Sequence, residues 1–323
     1  MKILAAMLVL SVGSMLLAAE SPPWAKKVLR AGIIGTDTSH VPAFTAGLHA
    51  HPEWKVAVVA AFKGGSPDLP DSASRVEAYA KEIRDKFGVE IVDSIDALLA
   101  KVDVVLIESV DGRPHLAQAR PVLKAGKRLF IDKPFTAGLA DAREIVRLAK
   151  ETGTPFFSCS CARFQPEIWK LRDDAGVGMV TKVQGSAPFN VEPHHPDLFW
   201  YGIHGVEALY TVMGPGCVGV SRKAEGDLDI TKGTWKDGRV GVFRGVVKGD
   251  YKPIVKVWGA RGEHETKEGF EYGGLLAVMA EFFHTGTPPI DPAETIEIIE
   301  FMTAAQLSKE RGGAEVKLEE LRK

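Results

Sequence analysis

The chain is poor in cysteine, with Cys 3 among 323 residues. So few thiols cannot staple a small disulfide scaffold, and their spacing matches no zinc site built from two C-x-x-C pairs. Net charge is nearly absent as well: Lys+Arg 40 against Asp+Glu 42 leaves −2. Without a basic excess there is no electrostatic footprint for nucleic acid. No internal repeat and no low-complexity segment occurs. What is present is an ordinary globular balance, hydrophobic 45% and charged 25%. That balance excludes disorder, collagen and long coiled coil. The length suits about two domains at roughly 150 residues each.

One long apolar run, Ile3 to Ala19, follows a single early cation, Lys2, and ends in Leu17-Ala18-Ala19. It reads as a signal peptide over 1–19 rather than an anchor, being at the short limit of a span of about 20 residues. No cysteine follows it for lipidation, and no Arg pair precedes it. Sec-type export of the unfolded chain is expected, to the periplasm or the exterior, with no membrane attachment of the mature form. Any cofactor would then be acquired outside the cytoplasm.

From 26 to 160, short unbroken apolar runs alternate with helical segments. Val28 to Ile34, Trp54 to Phe62, Val89 to Val92, Val102 to Ile107, Arg128 to Ile131 and Pro155 to Ser160 read as strands. Ser72 to Phe87, Asp96 to Ala100, Leu116 to Lys124 and Leu139 to Lys150 read as helices. Strands apolar on both faces, joined by helices, form a parallel sheet covered on both sides. The expected class is α/β, a Rossmann-like doubly wound parallel sheet, followed over 161–323 by an α+β domain. In the second part Met179 to Pro188, Val218 to Arg222, Arg239 to Lys248 and Pro253 to Gly259 read as strands. Lys236-Asp237-Gly238 is a hairpin turn, and helices cover Tyr201 to Met213, Leu275 to His284 and Pro292 to Glu310. An open, largely antiparallel sheet follows from this order.

The turn after the first strand is where a dinucleotide would sit. Its stretch is Gly35-Thr36-Asp37-Thr38-Ser39-His40, and the G-x-G-x-x-G fingerprint keeps only its first glycine. Asp37 places a carboxylate where a diphosphate binds. Two unit charges about 4 Å apart cost on the order of 4 kcal/mol at an effective dielectric of 20. Asp37 is open to two readings, a weakened nucleotide seat or a plain cap on the following helix, for which Thr38 and Ser39 also compete. Lys63 ends the second strand and is either a partner for a 2′-phosphate, favouring NADP over NAD, or a solvated loop residue. Asp132-Lys133-Pro134 ends the strand from Arg128, at the sheet edge where such folds bind ligands. His194, His195, Asp197, His204 and Glu207 crowd one segment, but their spacing fits no metal signature, and no metal is assigned. Cys159 and Cys161 are read as buried thiols.

Taken together, these parts resemble the Gfo/Idh/MocA family of glucose–fructose oxidoreductase, inositol dehydrogenase and rhizopine catabolism. Gly32-Ile33-Ile34-Gly35 looks like its first strand and turn. Asp132-Lys133-Pro134 looks like its Glu-Lys-Pro motif, and Gly202-Ile203-His204 with Glu207 like its Gly-x-His-x-x-Asp segment. Arg163 matches an arginine near the domain junction, and Gly286-Thr287-Pro288-Pro289 with its long helix matches the C-terminal pattern. The resemblance implies hydride transfer between NAD or NADP and a sugar or polyol, and an open sheet that builds homo-oligomers. It implies that Lys133 polarises the reacting hydroxyl and that His204 belongs to the acid–base relay. Gly35, Thr36, Asp37, Thr38, Ser39, Lys63, Asp132 and Lys133 become the cofactor candidates. Arg163, His115, His195, Trp200, Tyr201 and His40 become the substrate candidates.

The departures are specific. Trp200 stands where the family relay has an Asp, and Val110-Asp111-Gly112-Arg113-Pro114-His115 keeps only the His of the family's Thr-Pro-Asn-x-x-His loop. They keep two other readings open, each possible with no nicotinamide cofactor at all. One is a non-redox sugar lyase, hydratase or hydrolase using Lys133 and His204, and the other is a redox-silent carbohydrate-binding protein.

Overall fold

A computed structural model describes residues 20–247, 254–266 and 271–323. The expected signal peptide, 1–19, and the expected strand ends at Lys248 and Pro253 lie outside the described residues.

The first sheet contains β1 (Leu29–Ile34), β2 (Val56–Phe62), β3 (Glu90–Val92), β4 (Val104–Ile107), β5 (Arg128–Ile131) and β6 (Phe156–Ser158). All pairs are parallel, in the order β3-β2-β1-β4-β5-β6. The order reverses between β1 and β4, which opens a crevice at the C-terminal ends of those strands. The connecting helices are α1 (His40–Ala50), α2 (Pro70–Phe87), α3 (Ile95–Leu99), α4 (His115–Lys124) and α5 (Leu139–Thr152). Alternate side chains of each strand enter different cores, as the two-residue strand period requires. Val105 and Ile107 pack with Leu98, Val122 and Ile145 on one face. Val104 and Leu106 pack with Phe44 and Leu48 on the other.

After a short helix α6 (Pro166–Lys170) comes the second sheet. Its strands are β7 (Val180–Pro188), β8 (Cys217–Glu225), β9 (Leu228–Trp235), β10 (Val240–Val246), β11 (Ile254–Gly259), β12 (Glu263–Glu265) and β13 (Val316–Lys317). They lie in the order β12-β11-β7-β10-β9-β8-β13, with β7 and β10 parallel and the other pairs antiparallel. Helices α7 (Ile203–Met213) and α9 (Pro292–Glu310) cover one face. Gly205 lets α7 approach closely, since a Cβ there would lie 2.2 Å from the Phe243 ring. Side chains on the other face, such as Val242 and Arg244 of β10, are half-buried.

The short elements α6, β12 and β13 are absent from the sequence reading, and two larger differences bear on packing. The sequence reading places no strand over β9. Gly233 is in fact a packing requirement: its Cβ would lie 2.5 Å from the Phe301 ring. Helix α8 (Gly273–Thr285) falls within the expected second domain but packs on the first sheet. Leu275, Leu276, Met279 and Phe282 join Phe44, Phe130 and Phe157 in one core. Arg128 Nη1 donates to the Phe283 and His284 carbonyls at 2.5 and 3.2 Å, fixing the helix end. The boundary at 160/161 therefore does not divide the cores. Among the described residues, no helix is long and apolar enough to cross a membrane.

Candidate functional site

The turn after β1 is held shut by hydrogen bonds. Gly35 has φ 90, and a Cβ on it would lie 2.5 Å from the Ser109 nitrogen. Only glycine lets the ends of β1 and β4 meet. The Gly35 and Thr36 N–H groups donate to the Phe62 and Lys63 carbonyls at 2.9 and 2.8 Å. Asp37 is buried, and its carboxylate accepts from Ser72 Oγ at 2.6 Å and Val110 N–H at 2.9 Å. Burial pushes its carboxyl upward, partly offset by those two bonds.

The expectation that Asp37 or Ser39 caps α1 is corrected here. No side-chain cap is formed by Ser39, Asp37 bridges α2 and the loop after β4, and Thr38 Oγ1 instead accepts the His40 N–H at 3.0 Å. Lys63 pairs with Glu77 at 2.7 Å on the exposed surface, so it is not directed at the turn.

Several titratable side chains converge at the neighbouring strand ends. Asp132 follows β5, and its Oδ1 accepts the Lys133 N–H at 2.8 Å while its Oδ2 lies 2.5 Å from His40 Nδ1. Lys133 Nζ stands 5.6 Å from the centre of the Tyr201 ring, within range of a cation–π attraction. A π-helical turn, Leu198–Gly202, leads into α7 and places Trp200, Tyr201 and His204 on the same opening. His204 Nδ1 lies 2.7 Å from Ser160 Oγ. Burial, then the Lys133 and His40 charges, push its imidazole well below the usual range. A histidine held neutral in this way can accept a proton at pH 7. Thr38, Ser39, His40, Lys133, Trp200, Tyr201, His204 and Tyr272 border a cleft of about 250 Å³.

Other sequence candidates lie away from that opening. His115 is buried, with Nδ1 3.1 Å from the Phe135 carbonyl and Nε2 2.9 Å from the Ser109 carbonyl, and so pins the loop. His195 Nε2 lies 3.1 Å from Asp111 Oδ1. Against the upward pull of burial, His195, Arg113 and Ser66 hold the Asp111 carboxyl far below its ordinary range. This cluster latches the loop after β4 to the second domain. Arg163 pairs with Glu207 and Glu294, each at 2.6 Å, within the domain junction. None of these three side chains lines the cleft. All three cysteines are free and buried.

Sequence reasoning missed Glu108, Ser160 and Tyr272. Glu108 had a legible signal, an acid directly after an apolar strand at the ligand-binding edge. Ser160 and Tyr272 had none, because each is brought in from a different part of the chain.

Residues 29–159 match a family described as an oxidoreductase family with an NAD-binding Rossmann fold, Gfo/Idh/MocA. A dTDP-3,4-didehydro-2,6-dideoxy-alpha-D-glucose 3-reductase of Streptomyces violaceoruber is 29% identical over 178 residues, 53% of this chain and 47% of the reductase. A UDP-N-acetylglucosamine 3-dehydrogenase of Acidithiobacillus ferrooxidans is 31% identical over 163 residues, 50% of this chain and 46% of that enzyme. The chain thus matches about half the length of these curated relatives. The solved structure of GenD2 from gentamicin A biosynthesis, in complex with NAD, superposes with a TM-score of 0.74. It covers 94% of this chain and 99% of GenD2 at 17% identity, so the two share a fold across both sheets.

Proposed function

We propose that this chain is an oxidoreductase that transfers hydride between NAD(P) and a carbon of a sugar or polyol. The observation that carries the reading is the meeting of Lys133 and His204 on one cleft at the C-terminal edge of a Gfo/Idh/MocA Rossmann sheet. The relatives named as a sugar 3-reductase and a sugar 3-dehydrogenase support that substrate class.

In this reading the Lys133 ammonium donates to the reacting oxygen and stabilises its negative charge. Neutral His204 takes up the hydroxyl proton, its ring oriented by Ser160. Trp200 and Tyr201 offer faces on which a sugar's C–H groups can stack. NAD(P), when bound, accepts or supplies the hydride. The strand reversal and the Gly35 turn fit that cofactor. Asp37 rearranges the diphosphate seat, and burial pushes its carboxyl upward, which eases the charge conflict.

A second reading rests on the same turn. With the Gly35 and Thr36 N–H groups already bonded and Asp37 in the seat, Lys133 and His204 would serve proton transfer alone. That describes a sugar lyase, hydratase or hydrolase, or, without turnover, a carbohydrate-binding protein. The deciding experiment denatures protein purified from its native host and measures released NAD(H) and NADP(H) by mass spectrometry. Near-stoichiometric nucleotide supports the oxidoreductase. Empty protein whose melting ignores added NAD(P) moves the assignment to the second reading.

Two further proposals concern setting. The Ile3–Ala19 run supports Sec-type export to the periplasm or exterior. The half-buried face of the second sheet supports a homo-oligomer.

A further inference from the structure

The C-terminal edge of the first sheet buries two neighbouring carboxyl groups, those of Glu108 and Asp132. Glu108 and Asp132 are both at most 1% exposed, and the Lys133 charge acts on each. Both carboxylate oxygens of Glu108 are buried without a hydrogen-bond partner. Leaving a buried carboxylate unpaired is strongly unfavourable. One donor atom from each of Glu108, His40 and Asp132 lies within 4.8 Å of the other two.

We propose that His40, Glu108 and Asp132 bind a divalent transition cation. The donors come from three separate places at the strand reversal: the start of α1, the end of β4 and the end of β5. One imidazole and two carboxylates suit Zn²⁺ or Mn²⁺, and the two carboxylates neutralise the dication. Bond lengths of about 2.0–2.2 Å would draw the donors inward by less than about an ångström. The surroundings already orient two of the ligands. His40 stacks on Phe44 with ring centres 4.9 Å apart and meets the edge of Tyr272 at 5.0 Å. Asp132 is held through its other oxygen by the Lys133 N–H. Such outer contacts are the usual support of metal ligands.

Three protein donors leave coordination positions open. His40 and Lys133 both line the cleft, so an open position faces the space where substrate would lie. The ligand class that fits is a sugar or polyol presenting adjacent hydroxyl or hydroxyl and carbonyl oxygens. The cation would polarise the oxygen beside Lys133. None of the three donors belongs to the Gly35-Thr36-Asp37 turn, so the site does not require a bound nucleotide.

The test uses purified protein stripped with EDTA, freed of chelator, and titrated with Zn²⁺ or Mn²⁺ without nucleotide. One equivalent per chain by elemental analysis is expected, with a rise in melting temperature. Glu108→Gln, which keeps shape and removes charge, should weaken binding at least tenfold. Because that variant could fail to fold, Mn²⁺ is also added to the wild-type protein while histidine ring signals are followed by NMR. Selective broadening of the His40 signals is expected. Sub-stoichiometric metal, equal affinity in folded Glu108→Gln, or broadening that spares His40 would each overturn the site.

Discussion

The Asp37 carboxylate accepts the Val110 backbone N–H at 2.9 Å, tying the turn after β1 to the loop after β4. Its second oxygen receives the Ser72 hydroxyl at 2.6 Å. One side chain thus closes the place where a dinucleotide fingerprint would leave glycine and free N–H groups.

Asp37→Gly should therefore tighten NAD(P) binding by about tenfold, roughly 1.4 kcal/mol. It should also lower stability by about 1–3 kcal/mol, since Ser72 and Val110 lose their acceptor. Calorimetric titration and urea unfolding measure the two effects. A loss of stability with unchanged affinity would show that the turn serves structure alone.

Lys133→Met should reduce turnover by about 10²- to 10⁴-fold, the usual range for a lost acid–base group. The apolar stem is retained, so the far-ultraviolet circular dichroism should be unchanged. Steady-state kinetics on a responsive sugar provides the check, and retained turnover would remove Lys133 from the chemistry.

The pH dependence of stability follows from His204. Burial and nearby cations depress its folded pKa, whereas the unfolded imidazole titrates near about 6.5. Below that value the unfolded chain binds a proton that the folded chain refuses. Stability should fall as pH drops through 6.5, by up to about 1.4 kcal/mol per pH unit from this group. His115, also depressed by burial, adds in the same direction. Urea unfolding at descending pH should show a shallower fall in His204→Asn than in the parent protein.

Arg163→Met should destabilise by about 3–5 kcal/mol, because it strands Glu207 and Glu294 without their shared cation. The cleft is lined by other residues, so at low temperature the variant should keep its ligand affinity. A large affinity loss with unchanged melting would instead place Arg163 at the ligand.

The doubly wound sheet was legible because its strands are apolar on both faces and its helices stop at left-handed glycines such as Gly88 and Gly153. Those are local signals. Strand β9 was not legible, because Gly233 looks like a break until the Phe301 ring is placed against it. Nor was the packing of α8 on the first sheet, since an apolar helix does not specify which sheet it covers. Lys133 and His204 could be nominated from short motifs. His115, His195 and Arg163 could be nominated too, yet their bonds turn them toward loops and the domain junction.

The chain's own order of residues determined the strand and helix periods, the glycine at the first turn and the carboxylate that follows it. Tertiary structure alone decided that His40, Glu108 and Asp132, far apart in sequence, bring donor atoms within 4.8 Å of one another. The reason is physical. Periodicity and turn chemistry act over a few residues, whereas convergence at a sheet edge depends on which strands pair and which cores close behind them.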